Sequence, residues 1–178
     1  LATVQFLIRE CQCNVNASNL EFKQPLHVAC IKGSVKVVRE LLDSGSNINS
    51  LKRNRWTALM HASSHGHTEI VELLIERGAR VDEKNRENAT ALYVAARSGR
   101  IECVRALLNH GANINTKQRN LRTPLHVSIM NGHYKVLDLM LKSGAKQDVV
   151  DKAGMTLLHE AAYAGNVACA KMLKISLY

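Results

Sequence analysis

The chain has 178 residues, with 24 Lys and Arg against 15 Asp and Glu, a net charge of +9 at neutral pH and a pI near 9.5. Hydrophobic residues make up 46%, enough for a continuous core, but aromatics only 4%, so alanine and leucine must do most of the packing. No uncharged apolar run approaches the roughly 18 residues of a membrane helix, so we expect no membrane insertion; five cysteines, odd in number and without paired metal spacing, point to a reducing intracellular setting, cytoplasmic or nuclear.

Taken from the N-terminus, Val4-Gln5-Phe6-Leu7-Ile8 has the pattern of the second helix of a unit whose first helix is absent. The Asn14-Val15-Asn16 that follows is in phase with Asn47-Ile48-Asn49. A short pattern then recurs five times: Gln24-Pro25-Leu26-His27-Val28-Ala29, Thr57-Ala58-Leu59-Met60-His61-Ala62, Thr90-Ala91-Leu92-Tyr93-Val94-Ala95, Thr123-Pro124-Leu125-His126-Val127-Ser128 and Thr156-Leu157-Leu158-His159-Glu160-Ala161. The starts lie 33 residues apart without drift. No single globular core needs such a fixed period, whereas a stack of small units burying apolar faces on its neighbours does.

One unit, residues 57 to 82, shows the local physics. Thr57 can cap a helix running from Ala58 to about Ser64, because its hydroxyl accepts from an otherwise unpaired first-turn amide. Gly66 breaks that run. A second helix from Thr68 to Arg77 carries Ile70, Val71, Leu73, Leu74 and Ile75 in a broad apolar stripe, and Gly78 ends it. Ala79-Arg80-Val81-Asp82 then alternates as an extended segment into a turn around Lys84 to Asn88. Related second-helix stripes recur at Val37-Val38-Leu41-Leu42, Ile101-Val104-Leu107-Leu108 and Val136-Leu137-Leu139-Met140-Leu141, and weakly at Val167-Ala170-Met172-Leu173. Small residues at Ala29, Ala62, Ala95, Ala96, Ala161 and Ala162 allow close helix stacking.

The 33-residue period, the Thr-Pro-Leu-His of residues 123–126 and two phases of glycine resemble the ankyrin repeat over essentially the whole chain. The resemblance implies an all-α solenoid of stacked helix-turn-helix units with projecting β-hairpin or turn fingers. The units would be a partial repeat at 1–18, repeats at 19–51, 52–84, 85–117 and 118–150, and a C-terminal repeat at 151–178. Because the chain opens inside a unit and its end faces, Phe6-Leu7-Ile8 and Met172-Leu173-Ile175-Leu177, are apolar where terminal units are normally polar, we expect a segment of a longer protein. More repeats, another domain or self-association would cover those faces.

The resemblance also assigns His27, His126 and His159 to a structural position where the ring bonds nearby backbone, and His67 and His133 to the usual position after the glycine. His65 alone is out of pattern. Cys30 and Cys103 fall where small apolar packing residues belong. Cys11-Gln12-Cys13 closes too short a loop for an ordinary disulfide. There is no Ser-His-Asp set, paired carboxylate, phosphate-binding loop or metal motif, so we expect no enzyme activity in this segment, no cofactor and no metal.

The informative residues are those that depart from the repeat. One finger column reads Leu20, Arg53, Arg86, Arg119, Lys152, and the column before each pattern reads Lys23, Trp56, Ala89, Arg122, Met155. Lys52, Arg55, Lys84 and Lys117 flank them. The inner-helix column before each glycine adds His65, Arg97, Met130 and Tyr163. In ankyrin proteins partners usually contact finger tips and the concave face. By that resemblance the partner-binding candidates are Arg53, Arg55, Trp56, His65, Arg86, Arg97, Arg119, Arg122, Met130, Lys152 and Tyr163. Positives about 10 Å apart reinforce one another's field over a Debye length of similar size. The partner expected is another protein, engaged through an acidic segment with an apolar anchor; nucleic acid or another polyanion is the second class.

Overall fold

The computed structural model describes residues 1–174, so Ile175 and Leu177 of the expected apolar end lie outside the described residues. Within them the chain is all-α. The helices are α1 (Ala2–Arg9), α2 (Pro25–Lys32), α3 (Val35–Asp43), α4 (Ala58–His65), α5 (Thr68–Glu76), α6 (Ala91–Arg97), α7 (Ile101–Asn109), α8 (Pro124–Met130), α9 (Tyr134–Lys142), α10 (Leu157–Tyr163) and α11 (Val167–Lys174), with one 3-10 turn at Arg53–Arg55.

The start signals act as the sequence leads one to expect. The Thr57 hydroxyl accepts from the Met60 N–H at 3.1 Å, and Thr90 does the same for Tyr93 at 3.3 Å. Where histidine holds the fourth position its ring closes the same turn: Nδ1 of His27 accepts from the Gln24 N–H at 3.1 Å, and Nδ1 of His126 from the Thr123 N–H at 3.2 Å. Tyr93 stands at this position in α6, and its hydroxyl donates instead to Oε1 of Gln118 in the next finger, 2.8 Å away.

The helices form two layers. Inner helices α2, α4, α6, α8 and α10 pack side by side, outer helices α3, α5, α7, α9 and α11 do likewise, and each inner helix packs on the outer helix that follows it. Helix α1 continues the outer layer through Gln5 and Arg9, each 2.9 Å from the Glu40 carboxylate of α3. Leu26, Leu59, Leu92 and Leu125 run through the middle of the stack, each 1% exposed or less. Burying one leucine stabilises by about 1.5–3 kcal/mol, so this column is a principal source of cohesion. Leu158, at the same register in α10, is 47% exposed on the end face. Ala162 is exposed there too, whereas Ala96, at the same register two units earlier, is fully buried. Cys30, Cys103 and Cys169 are buried and free, and burial pushes the Cys30 thiol up to about 12; Cys11 and Cys13 are exposed and free.

Three sets of polar bonds tie neighbouring units at fixed offsets. Side-chain oxygens of Asn16, Asn49, Asp82 and Asn115 accept from the N–H groups of Asn47, Arg80, Asn113 and Lys146 at 2.8–3.1 Å. On the inner side His67, Arg100 and His133 donate to the carbonyls of Ile31, Ser64 and Arg97 at 3.1–3.2 Å. These carbonyls end inner helices and would otherwise lack partners. The third set joins the fingers.

Candidate functional site

Each finger is a tight turn closed by two backbone bonds, one from its fourth N–H to its first carbonyl at 2.8–3.0 Å and one from its first N–H to its fifth carbonyl. The N–H of Asn19, Lys52, Asn85, Gln118 and Asp151 donates to the carbonyl of Lys23, Trp56, Ala89, Arg122 and Met155, at 2.9–3.2 Å. Of the two forms expected, hairpin or turn, the fingers take the turn; strand-like pairing among the described residues is confined to one bridge between Val150 and Thr156. Asn19, Asn85 and Asp151 strengthen their turns by accepting two N–H groups each on one side-chain oxygen. Lys52 and Gln118 offer no such short acceptor. The fourth finger residue is left-handed throughout: Phe22 (φ 58), Arg55 (φ 61), Asn88 (φ 62), Leu121 (φ 62) and Gly154 (φ 77). Only the last is glycine, so four fingers hold a side chain in a conformation that disfavours one.

Adjacent fingers are joined through their backbones. The N–H groups of Arg53, Arg86, Arg119 and Lys152 donate to the carbonyls of Glu21, Asn54, Glu87 and Asn120 at 3.1, 3.0, 3.0 and 2.8 Å. The basic column is thus also the donor column of a ladder. Because the main chain makes these bonds, the four side chains are left free. All four are exposed, and among the described residues none makes an ion pair. The ridge is not purely cationic: exposed Glu21 lies 3.3 Å from Lys23, and exposed Glu87 accepts from Gln118 at 3.2 Å.

Arg122 departs from the expectation. It is half-buried and turned inward, with Nε 3.2 Å from Asp151 and Nη2 2.9 Å from Glu160. Glu160 is only 2% exposed and stands where the preceding inner helices carry Val28, His61, Val94 and Val127. Arg122 therefore balances a buried carboxylate inside the stack and is not an available cation. Arg55 is partly committed as well, its Nη2 3.0 Å from Glu83.

At the ends of inner helices α4, α6, α8 and α10, His65, Arg97, Met130 and Tyr163 are exposed, Tyr163 at 87%. His65 is held by its own helix, its Nδ1 2.9 Å from the His61 carbonyl, and its ring stacks on His67 with centroids 6.0 Å apart.

Trp56 is half-buried. Its ring lies 5.0 Å from that of His61, tilted by 37°, and His61 meets His27 edge-on at 6.0 Å. His61 is 6% exposed, and its Nε2 is buried without a hydrogen-bond partner among the described residues. Burial first, then the nearby Lys52 charge, draws its pKa down to about 3, so the ring is neutral at physiological pH. Above this stack lies a cleft of about 420 Å³, bounded by Glu21, Lys52 and Arg53 of the first two fingers and by Ser64 and His65 at the end of α4. Trp56, Arg53 and His65 were legible as candidates from their columns. Lys52, seen only as a flank, and His61 were not, although His61 is the one aromatic ring in a column otherwise of valines and a glutamate.

Among the described residues no group of three His, Cys, Asp or Glu is placed to hold a metal ion, and no helix is long and apolar enough to cross a membrane. A family model described as ankyrin repeats, in three copies, matches the chain in overlapping passages at residues 1–85, 45–118, 80–151 and 115–176.

Proposed function

This chain belongs to the ankyrin-repeat family, and from that premise we propose that it is a recruiting scaffold that binds an acidic segment of another protein along its finger ridge and adjoining concave face. Ankyrin repeats generally mediate protein–protein interaction and are typically non-catalytic. The observation that carries the finer reading is the ladder of Arg53, Arg86, Arg119 and Lys152. Their amides are fixed by neighbouring fingers while their charged ends are exposed and, among the described residues, make no ion pair. Four cations held in a row suit repeated carboxylates, since arginine–carboxylate bonds are short, directional and often bidentate. A net charge of +9 steers an anionic segment toward the ridge. Arg97, His65, Met130 and Tyr163 extend the surface inward and supply apolar area for residues between the acids.

The test is affinity capture from nuclease-treated lysate by the native chain and by the triple variant Arg53→Glu, Arg86→Glu, Arg119→Glu. Proteins sharing an Asp- and Glu-rich segment and retained by the native chain alone are the expected result. Equal retention by both chains removes the ridge from the binding surface. Nucleic acid retained in place of protein when nuclease is omitted, with affinity falling steeply with salt, would favour the polyanion reading.

A further inference from the structure

Resting on the reading that the finger side binds protein, we infer that the cleft over Trp56 is an anchor pocket for an aromatic side chain of the partner, followed in the partner's chain by carboxylates. The cleft is open to solvent and, at about 420 Å³, has room for one aromatic side chain. Its floor is apolar and aromatic: the Trp56 ring lies on a neutral, buried His61, and a further ring packs on such a pair in offset or edge-on geometry. Its rim is cationic. Lys52 and Arg53 stand there without an ion pair among the described residues, suited to the face of a ring and to a neighbouring carboxylate.

The single acid on the rim gives the occupant a direction. Glu21 belongs to the first finger, so carboxylates of the bound segment are repelled there and drawn along Arg53 toward Arg86 and Arg119. The pocket is also preformed. The Lys52 N–H donates to the Trp56 carbonyl at 2.9 Å and the Arg53 N–H to the Glu21 carbonyl at 3.1 Å, so both finger walls are fixed before a partner arrives, which reduces the ordering cost of binding.

Two features set this place apart from the other fingers. Trp56 is the single tryptophan of the chain, and the equivalent residues are Lys23, Ala89, Arg122 and Met155. His61 replaces the valine of three sister units and leaves a buried Nε2 without a partner among the described residues. A valine would fill that position without the orphaned atom, so the histidine works against stability while it supports the half-buried Trp56 ring.

The experiment uses the whole chain and two synthetic peptides, acetyl-Gly-Phe-Glu-Asp-Glu-Glu-Gly-amide and its counterpart with Ala for Phe. Binding is read by calorimetry and by Trp56 emission. The Phe peptide is expected to bind about tenfold more tightly, as burial of one aromatic side chain implies, and it alone should shift the emission. In Trp56→Met, which installs the residue that Met155 places at the same register, the two peptides should bind within about threefold of one another; Trp56→Ala gives a second variant, each checked for helicity by circular dichroism. Equal affinities for the native chain overturn the pocket and leave the acidic-segment reading standing. Discrimination that survives in the folded Trp56 variants also overturns it. Failure of both peptides to bind overturns the pocket and the acidic-segment reading together.

Discussion

The backbone N–H of Arg86 donates to the carbonyl of Asn54 at 3.0 Å, while the Arg86 guanidinium makes no ion pair among the described residues. The same residue thus holds two fingers together with its main chain and presents a free charge with its side chain.

That separation predicts how charge reversal behaves. Arg53→Glu, Arg86→Glu and Arg119→Glu alter exposed side chains and leave the ladder amides in place, so the triple variant should keep its helicity and lose less than about 1 kcal/mol in urea unfolding. Arg122→Ala should behave differently. It strands Glu160, 2% exposed, and Asp151 without their cation. Breaking a buried pair costs about 3–5 kcal/mol, and the partial exposure of Arg122 lowers the expected loss to about 2–3 kcal/mol. The double variant Arg122→Ala, Glu160→Val should recover most of it, because Val28, Val94 and Val127 show that the register accepts valine.

Left-handed side chains at the finger tips are a reserve of stability. Leu121 sits at φ 62, where a side chain costs about 1–2 kcal/mol and glycine only its extra unfolded-state entropy. Leu121→Gly should therefore raise the unfolding free energy by about 0.5–1 kcal/mol in denaturant titration. Arg55→Gly, at φ 61, should gain similarly, offset by loss of the Glu83 ion pair.

Two glycines with similar backbone should respond unequally to alanine. Gly99 has φ +67, and a Cβ there would lie 2.7 Å from Nδ1 of His133, whose Nε2–H donates to the Arg97 carbonyl. Gly111 has φ +78 with nothing within 4 Å of an added Cβ. Gly111→Ala should cost about 1 kcal/mol of backbone strain, and Gly99→Ala about 2–3 kcal/mol, because the ring must also give up its bond. Thermal melts of the two variants check the difference.

Stability should fall on mild acidification. His61 is drawn down to about 3 by burial, and His27 and His126 are lowered in the same direction, also chiefly by burial. Unfolded histidines titrate near about 6.5, so between about pH 6.5 and 3 the unfolded chain binds more protons than the folded one. Stability is complete above about pH 6.5 and is lost as pH drops through that window, by up to about 3 kcal/mol for His61 alone at pH 4. Urea titrations from pH 7 to 4 should show the decline, and His61→Val should flatten it.

The fold was legible because every unit repeats the same local instructions. Thr57 and Thr90 cap where their position says they should, Gly33 and Gly66 end helices in the left-handed region, and Leu26, Leu59, Leu92 and Leu125 lie at one register that stacking must bury. The same alignment brought out Arg53, Arg86, Arg119 and Lys152, since a surface column shows once the period is known.

What the sequence could not decide is which charges are free. Arg119 and Arg122 are three residues apart, equally basic and in the same finger, yet one ends in solvent and the other between Asp151 and Glu160. That outcome depends on acids 29 and 38 positions further along the chain, brought near by stacking, and on the direction each side chain leaves its turn. The cleft over Trp56 is likewise a product of packing: Glu21, Lys52 and His61 meet only because the fingers of neighbouring units are hydrogen-bonded side by side over an inner helix. Local pattern determined the units and their order; the pairing of charges and the shape of the surface arise from contacts between units, which only the tertiary structure fixes.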